Sequence, residues 1–471
     1  MHQKLVTLFY TFSSISVSVK AISESQLYFI LTINPFTSLL RFCIPLILGN
    51  LFQLFYTLAD SVIVGKTLGA NALAAVGSTS IIVYFVLCFI TGFTNGFGIC
   101  LGQRFGAKDV NGMKKSIAVS TILCIVFTIV LTVLCAALSR QILIWMQIPS
   151  DISEDAWTYM FIVLLGTGAT VFYNMISNIL RALGDSKTPL YFLVLSSLLN
   201  VVLDIVFIVP LNMGVAGAAL ATVLSQLLSA FLCLIVGRKA YPVLHLKRED
   251  FYDLKGTAIS HLKIGFPMGF QMSVMCIGQL AMQAVVNSMG TDAVAGYTAA
   301  TKADQVSVLI NNAMIAAISS YTAQNFGAGK FDRIKSGVRA CLIQTEAINL
   351  IMCAGILLLR HPIVRLFLTN PTAEIYRYSD HYLNGVAPFY FLLGLLAVYR
   401  TAVQSMQNST APFAACMIEL VMRLAATICL SAIIGYTAVC IASPMAWAGA
   451  CALLIPTYYK MMHRLSKPQT K

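Results

Sequence analysis

The stretch RFCIPLILGNLFQLFYTLADSVIVGK, residues 41–66, is an apolar segment with a base at each end, Arg41 and Lys66. Its length suits a helix that crosses the hydrocarbon core of a bilayer, which takes roughly 20 residues. Asp60 is the only charged side chain between the two bases. A charge in the bilayer interior costs on the order of a few kcal/mol, so it usually serves a function. The stretch predicts a transmembrane helix with a functional carboxylate.

The composition extends this prediction to the whole chain. Of its 471 residues, 58% are hydrophobic and 10% are charged, whereas soluble domains carry about 25% charged residues. The apolar segments between polar breaks predict about twelve membrane-spanning helices and an all-α polytopic membrane protein. No nucleophile and base motif, phosphate loop or metal cluster is visible, so we do not expect an enzyme.

The positive charge follows the predicted loops. The formal net charge is +13, but the bases do not cluster on one element as they would for binding nucleic acid, and we expect no nucleic-acid partner. Most of the 31 Lys and Arg residues fall in loops on one side of the predicted helices. This asymmetry places both termini in the cytoplasm by the positive-inside rule. Within the predicted spans the only bases identified are Lys302 and Arg423.

The cysteines and the N-terminal extension add little to this prediction. Thirteen cysteines are scattered singly, mostly in apolar segments, and are interpreted as small core residues. We expect no zinc site and no cofactor. Residues 1–34 include a short apolar run, residues 5–19, that resembles a signal-peptide core without a clear cleavage site. If this run spanned the membrane, every later loop would change sides, so we interpret residues 1–34 as a cytoplasmic or interfacial appendage, or as the product of a start codon placed too early.

A repeat with a nearly constant offset divides the chain into two halves. GANALAAVG (residues 69–77) matches GTDAVAGYT (290–298), and QRFGA (103–107) matches QNFGA (324–328). GDSKTP (184–189) matches QNSTAP (407–412). Each half holds about six spans, so both enter the membrane in the same orientation, as in transporters built from parallel repeats. We predict an N-lobe at 35–237, a basic linker at 238–259, a C-lobe at 260–460 and a cytoplasmic tail at 461–471.

Polar residues recur at separations of three and four along several spans of the first half, which puts them on one helical face. They are Asn50, Gln53, Tyr56, Thr57 and Asp60 on the first span, Asn174 and Asn178 before the 184–189 turn, and Asn200 and Asp204 after it. Asp204 is the only charged residue between 188 and 237. Two isolated acids in one half predict a reversible cation site rather than a permanent ion pair.

The chemistry of this site has two forms. With the amides and Thr222, the acids provide oxygen ligands for a hard monovalent cation, or one carboxyl group carries a proton. The competing interpretation is that the polar residues hold helices together. Glu346 and Glu419 in the second half have no companions at helical spacing, so structural and functional roles both stay open. Pro45 removes a helical hydrogen bond and predicts a kink or hinge.

The run PLILGNLFQLFYTLAD (residues 45–60) closely resembles the opening of multidrug and toxic compound extrusion (MATE) transporters, and is most similar to their DinF-like bacterial branch. The Gln-x-x-Gly-Ala loops, the turn RALGDSKTP (181–189) and the doubled halves extend the similarity from about residue 33 to residue 460.

The resemblance implies two six-helix lobes around a central cavity, and a bacterial inner-membrane protein. It implies export of amphiphilic, often cationic compounds in exchange for H⁺ or Na⁺, the coupling ion, by alternating access. Asp60, Asn200, Asp204 and Thr222 match the family's cation-coupling positions, with Asp60 and Asp204 as metal ligands if the ion is Na⁺. Gln53, Tyr56, Asn174 and Asn178 match positions along the substrate path, and Pro45 matches the bending proline. Another branch has an acid in the seventh span, but residues 266–290 contain none.

Two other functions stay open. A flippase for a lipid-linked or cell-envelope precursor would be expected to have Arg or Lys in its cavity for a pyrophosphate, and only Lys302 and Arg423 were identified within spans. A membrane receptor or assembly factor without transport is the third hypothesis. The expected partners are small amphiphilic or cationic molecules and the bilayer, and the expected state is a monomer.

Overall fold

The computed structural model describes residues 31–146, 148–368 and 371–466, apart from the side chains of residues 57, 58 and 70. The appendage predicted at 1–34 therefore lies almost entirely outside the described residues. Within them the chain is helical throughout, with no β-strand. The spanning helices are α1 Pro35–Thr67, α2 Ala70–Gly106, α3 Val110–Trp145, α4 Ser153–Leu165 with Thr167–Ala182, α5 Lys187–Ile208, α6 Gly214–Ala240, α7 Lys255–Asn287, α8 Thr291–Gly327, α9 Phe331–Phe367, α10 Ala373–Ser405, α11 Thr410–Ile434 and α12 Tyr436–Ser466.

Eleven of these helices are each long and apolar enough to cross a membrane, and the two segments of α4, bent by 41°, make a twelfth span. The all-α fold with about twelve spans is therefore confirmed. The bend in α4 lies at Gly166, where a Cβ atom would overlap the Val223 side chain of α6. The helix α1 begins at Asn34, whose side chain accepts a hydrogen bond from the Phe36 N–H at 2.9 Å, and it continues as one helix through Pro45.

The backbone repeats the same special conformations in both halves. Gly214 and Gly435, which are equivalent in the repeat, both have a positive φ, 57° and 59°. The turns before α2 and α8 contain Gly69 and Gly290, with φ of 89° and 101°. The matched sequences therefore form matched turns. We refer to α1–α6 as the first lobe and to α7–α12 as the second, and the predicted lobe boundaries stay a prediction. Within the first lobe α5 packs on both α1 and α6.

Two of the contacts between the lobes differ in character. In the α2/α7 contact, Gly92 and Gly96 face Gly265 and Gly269, and a Cβ atom on Gly96 would lie 2.6 Å from the Gly265 Cα. Small residues four apart let helix backbones approach closely in a membrane. The α1/α8 contact instead uses side chains: Asn50 Nδ2 donates to the Leu309 carbonyl at 3.0 Å.

The loops after the even-numbered helices lie on one side of the helix bundle, which we call the basic face. The linker between α6 and α7 carries a cluster of bases, namely Arg238, Lys239, Lys247, Arg248 and Lys255. Two short 3-10 helices, Pro242–Leu244 and Arg248–Phe251, occupy this linker. The opposite face contains the loops after the odd-numbered helices. The assignment of the basic face to the cytoplasm stays a prediction.

Candidate functional site

The two isolated acids of the first lobe lie together. Asp60 on α1 and Asp204 on α5 bring their carboxyl groups within hydrogen-bonding contact. Asp204 is 0% exposed, and Asp60 is partly buried. Two carboxylates in such contact cannot both stay charged without help. The acid pair, Asp60 and Asp204, could therefore hold a shared proton or a cation.

Asn200 and Thr222 complete one wall around the acid pair. Asn200 is 1% exposed and lies one helical turn from Asp204 on α5. With its amide nitrogen facing the acid, Asn200 donates to Asp204 Oδ2 at 3.3 Å, and its oxygen accepts from the Thr222 N–H at 3.3 Å. With the amide turned over, its nitrogen donates to Thr222 Oγ1 at 3.4 Å. The first orientation satisfies both amide atoms, and the hydrogen-bond network is the basis for choosing between them.

The acid pair has oxygen atoms that the protein does not satisfy. Asp60 Oδ1 and Asp204 Oδ1 are buried and have no hydrogen-bond partner within the described residues. Buried carboxylate oxygens are seldom left unpartnered. Carboxylate, amide and hydroxyl oxygens are the ligands that hard cations prefer. The described residues contain no group of three or more His, Cys, Asp or Glu side chains around a metal position, so Na⁺ would depend on the acid pair with Asn200 and Thr222.

Tyr159 of α4 is a neighbour of this site that the sequence analysis did not identify. Its side chain is close enough to Asp60 and Asp204 to interact with both electrostatically, and it packs on the cluster that contains Val64 and Ile208. The helix α4 contributes no other group to the acid pair, so no regular spacing of polar residues indicates Tyr159.

The predicted substrate-path residues separate into two groups. Gln53 is exposed and Tyr56 is partly buried, on the same face of α1 as Asp60. Asn174 and Asn178 lie inside the first lobe: Asn174 Nδ2 donates to the Thr170 carbonyl at 2.9 Å, and Asn178 Nδ2 donates to Thr94 Oγ1 at 3.1 Å. Their roles on a substrate path stay predictions, as does the hinge at Pro45.

The equivalent positions in the second lobe have a different character. The repeat takes Asn200 to Arg423, Asp204 to Thr427 and Thr222 to Ser443. Ser443 Oγ contacts Met282 Sδ at 3.8 Å, and Met282 is the residue equivalent to Asp60 when Pro45 is aligned with Pro267, the first residues of the two repeats in that alignment. The acid pair is thus replaced by a thioether and a hydroxyl. In place of an amide stands a guanidinium that is only 5% exposed.

The second lobe also contains charged groups within spans that the sequence analysis did not count. Arg400 lies in the Tyr390–Ser405 segment of α10 and forms a short ion pair with Glu419 of α11, so the prediction that Lys302 and Arg423 were the only bases within spans is wrong. Its position near the end of an apolar run made it resemble a loop residue. Asp304 on α8 lies beside the Tyr390 hydroxyl, within electrostatic range of Arg423.

The two acids whose roles were left open now have neighbours. Glu419 is 2% exposed and pairs with Arg400, which supports a structural role. Glu346 lies beside Asn349, whose amide donates to the Tyr390 carbonyl at 3.0 Å. Neither acid lies next to another carboxylate in the way that Asp60 does, so the described residues contain one acid pair within the membrane.

This arrangement of two six-helix repeats around polar interior groups defines a multi-pass membrane transporter. The family model MatE matches the chain twice, at residues 45–206 and at residues 267–429, which agrees with the repeat found in the sequence. The chain belongs to the MATE family, and the family resemblance is confirmed. The DinF-like branch stays a prediction.

Relatives and solved structures agree with this assignment. The Probable multidrug resistance protein YpnP of Bacillus subtilis (strain 168) is 33% identical over 374 residues, covering 79% of this chain and 83% of that protein. The Probable multidrug resistance protein YoeA of the same organism is 28% identical over 340 residues, covering 71% and 73%. A solved structure described as the outward-facing conformation of a multidrug resistance MATE family transporter of the MOP superfamily is 22% identical. It has a TM-score of 0.87, with 94% of this chain and 98% of that chain covered.

Proposed function

We propose that the protein is an antiporter that exports amphiphilic, often cationic compounds across the cytoplasmic membrane of a bacterium, in exchange for H⁺ or Na⁺. The observation that carries this proposal is the contact between Asp60 and Asp204, with one unsatisfied buried oxygen on each. A structural contact in a membrane does not need two acids. A site that a cation alternately occupies and leaves does need acidic groups.

The position of the acid pair supports entry of the cation from outside. Asp60 lies near the Thr67 end of α1, and Asp204 lies near the Ile208 end of α5. Both ends belong to the face opposite the basic face. With the basic face in the cytoplasm, as the positive-inside rule predicts, the pair lies toward the external medium.

The coupling follows from electrostatics. A lipophilic cation in the cavity favours the lobe arrangement in which the acid pair is ionised, and a proton or Na⁺ on the pair removes that preference. Each ligand thus shifts the same conformational equilibrium in opposite directions. Gln53 and Tyr56 share the face of α1 with Asp60, so the substrate and the cation act on one helix. The result is alternating access, in which uptake of the cation drives release of the compound.

The test is dye efflux from vesicles that contain the purified protein, with an imposed Na⁺ gradient or pH gradient applied separately. We expect one gradient to drive ethidium-like dyes out and Asp60→Asn to abolish this efflux. Asp155→Asn is the matched control, because Asp155 is an exposed acid at the start of α4 away from the pair. Efflux that survives Asp60→Asn at normal protein levels would refute the proposal.

The flippase is the second candidate, and Arg423 is the observation that favours it. Its guanidinium is buried, and it forms no direct ion pair with a carboxylate in the described part of the chain. A buried base of this kind suits a phosphate or pyrophosphate group. Translocation of a fluorescent lipid-linked pyrophosphate in the same vesicles, lost in Arg423→Gln and unaffected by Asp60→Asn, would favour this function over drug export.

A further inference from the structure

Two glutamines at equivalent positions of the repeat each donate a hydrogen bond to the opposite lobe. Gln103, at the basic-face end of α2, donates from Nε2 to the Ser405 carbonyl of α10 at 2.7 Å. Gln324, at the same end of α8, donates from Nε2 to the Ala182 carbonyl of α4 at 2.8 Å. Ser405 is the repeat equivalent of Ala182. The acceptors are therefore equivalent as well, and the pair of bonds obeys the two-fold pseudosymmetry of the repeat.

Two glycines bring the helix ends into direct contact around these bonds. A Cβ atom on Gly106 would overlap the Gln324 carbonyl oxygen, and a Cβ atom on Gly327 would overlap the Gln103 carbonyl oxygen. Gln103 and Gln324 are 6% and 0% exposed. The ends of α2 and α8 thus close the space between the lobes at the basic face, with the glutamine amides buried in the closure.

The repeat is broken at one position of this closure. Gly184, just after α4, and Gln407, just after α10, are equivalent in the repeat. Both have a positive φ, 92° for Gly184 and 67° for Gln407. A residue with a Cβ atom adopts this conformation less readily than glycine. Gln407 Nε2 donates to Gln103 Oε1 at 2.6 Å, whereas Gln324 Oε1 has no partner within the described residues. Gln407 therefore has a backbone conformation that favours glycine, and its side chain adds a second hydrogen bond on one side of the closure.

We infer that Gln103 and Gln324, together with Gly106 and Gly327, form a two-fold gate that closes the lobes at the basic face. Opening of the cavity toward that face breaks both amide bonds at once. This inference rests on the alternating access of the proposed function. A net hydrogen bond contributes little once water can replace the partner, so the gate holds the closed state and still opens reversibly. The four residues are positioning residues that set the balance between the two lobe arrangements.

Hydrogen exchange measured by mass spectrometry on the full-length protein in lipid nanodiscs tests the gate. We expect Gln324→Ala to speed exchange about fivefold, the effect of one lost net hydrogen bond. Gln103→Ala should speed it more, because this variant also loses the bond from Gln407. The increase should appear in all four segments of the closure, at residues 100–108, 179–186, 321–330 and 402–409. Gly106→Ala and Gly327→Ala should give a larger increase in the same segments, because the added methyl group separates the helix ends. Exchange around the acid pair should not change.

The matched control is Gln283→Ala, which removes a partly buried glutamine of α7 bonded to Asn287 and should leave the four segments unchanged. If an alanine variant fails to fold, Gln103→Met and Gln324→Met keep the side-chain length and remove the amide group, so that Gln103→Met also loses the bond from Gln407. Unchanged exchange in the four segments, or a uniform increase over the whole chain, would overturn the gate. Exchange is read without transport, so a normal gate response in a protein that moves no dye would instead refute the proposed antiporter.

Discussion

The equivalent positions of the two lobes differ in charge although their backbones match. The first lobe places two acids, Asp60 and Asp204, in contact. The second lobe places Met282 and Thr427 at the corresponding positions, with the buried guanidinium of Arg423 where Asn200 stands in the first. A fixed positive charge near a site opposes a cation there. The matched backbones thus hold an acid pair in one lobe and a buried base in the other, which supports the proposed cation site in the first lobe.

The largest expected effect comes from substituting equivalent positions of the two lobes, Asp204 and Thr427. Asp204→Asn removes one acid, so the remaining carboxylate no longer needs a shared cation, and cation-driven efflux should fall to background. Thr427→Val is the matched change in the second lobe, and efflux should stay within about twofold of the wild type, since the Thr427 hydroxyl has no hydrogen-bond partner within the described residues. Equal losses in both variants would show that the lobes share the coupling.

The next effect concerns stability in the second lobe. Glu419→Gln leaves Arg400 buried without its partner, which costs about 3 to 5 kcal/mol. The thermal unfolding midpoint in detergent should drop clearly. The double variant Glu419→Gln with Arg400→Met removes both charges and should recover most of the loss. A single variant as stable as the wild type would mean that the pair does not hold α10 and α11 together.

The third effect tests how closely α2 and α7 pack. Gly96→Ala places a methyl group against the α7 backbone and should destabilise the protein by about 1 to 3 kcal/mol, as overpacking does. Gly77→Ala on the same helix has open space around its Cβ position and should be neutral or stabilising by up to about 1 kcal/mol. Chemical unfolding monitored by intrinsic fluorescence compares them. If both variants behave alike, the α2/α7 contact is looser than the structure indicates.

The smallest effect is expected at Tyr159. Tyr159→Phe removes a hydroxyl near the acid pair and keeps the ring packed on Val64 and Ile208. The concentration of the driving cation at half-maximal efflux should rise about threefold to tenfold, while the maximal rate is unchanged, because a polar group that interacts with both acids is worth about 1 kcal/mol. A changed maximal rate with an unchanged half-maximal concentration would assign Tyr159 to conformational change rather than to cation binding.

Much of the acid pair could be predicted from the sequence, because an isolated charge in an apolar run is visible without a structure. Asp60 and Asp204 were identified in this way, and the i, i+4 spacing brought in Asn200. Asp304 was missed because it lies among other polar residues, TKADQ at 301–305, in a helix less apolar than its neighbours. Arg400 was missed because span ends are uncertain from hydropathy alone.

The gate shows a different limit. Gln103 and Gln324 were recognised as landmarks of the repeat, and their identity alone establishes the two-fold relation. Their partners, however, are backbone carbonyl groups of Ser405 and Ala182, and every residue provides a carbonyl group. No sequence pattern marks an acceptor of that kind. Only the packing of the helix ends shows that each glutamine reaches into the opposite lobe.

The glycines of the α2/α7 contact have a consequence for substitution. The rings of Phe89, Phe93 and Phe97 of α2 pack against Gly265 and Gly269. Each ring lies where a side chain at those two positions of α7 would be. A residue larger than glycine at either position therefore has to displace a ring as well as the helix, so the contact admits change only when α2 and α7 change together.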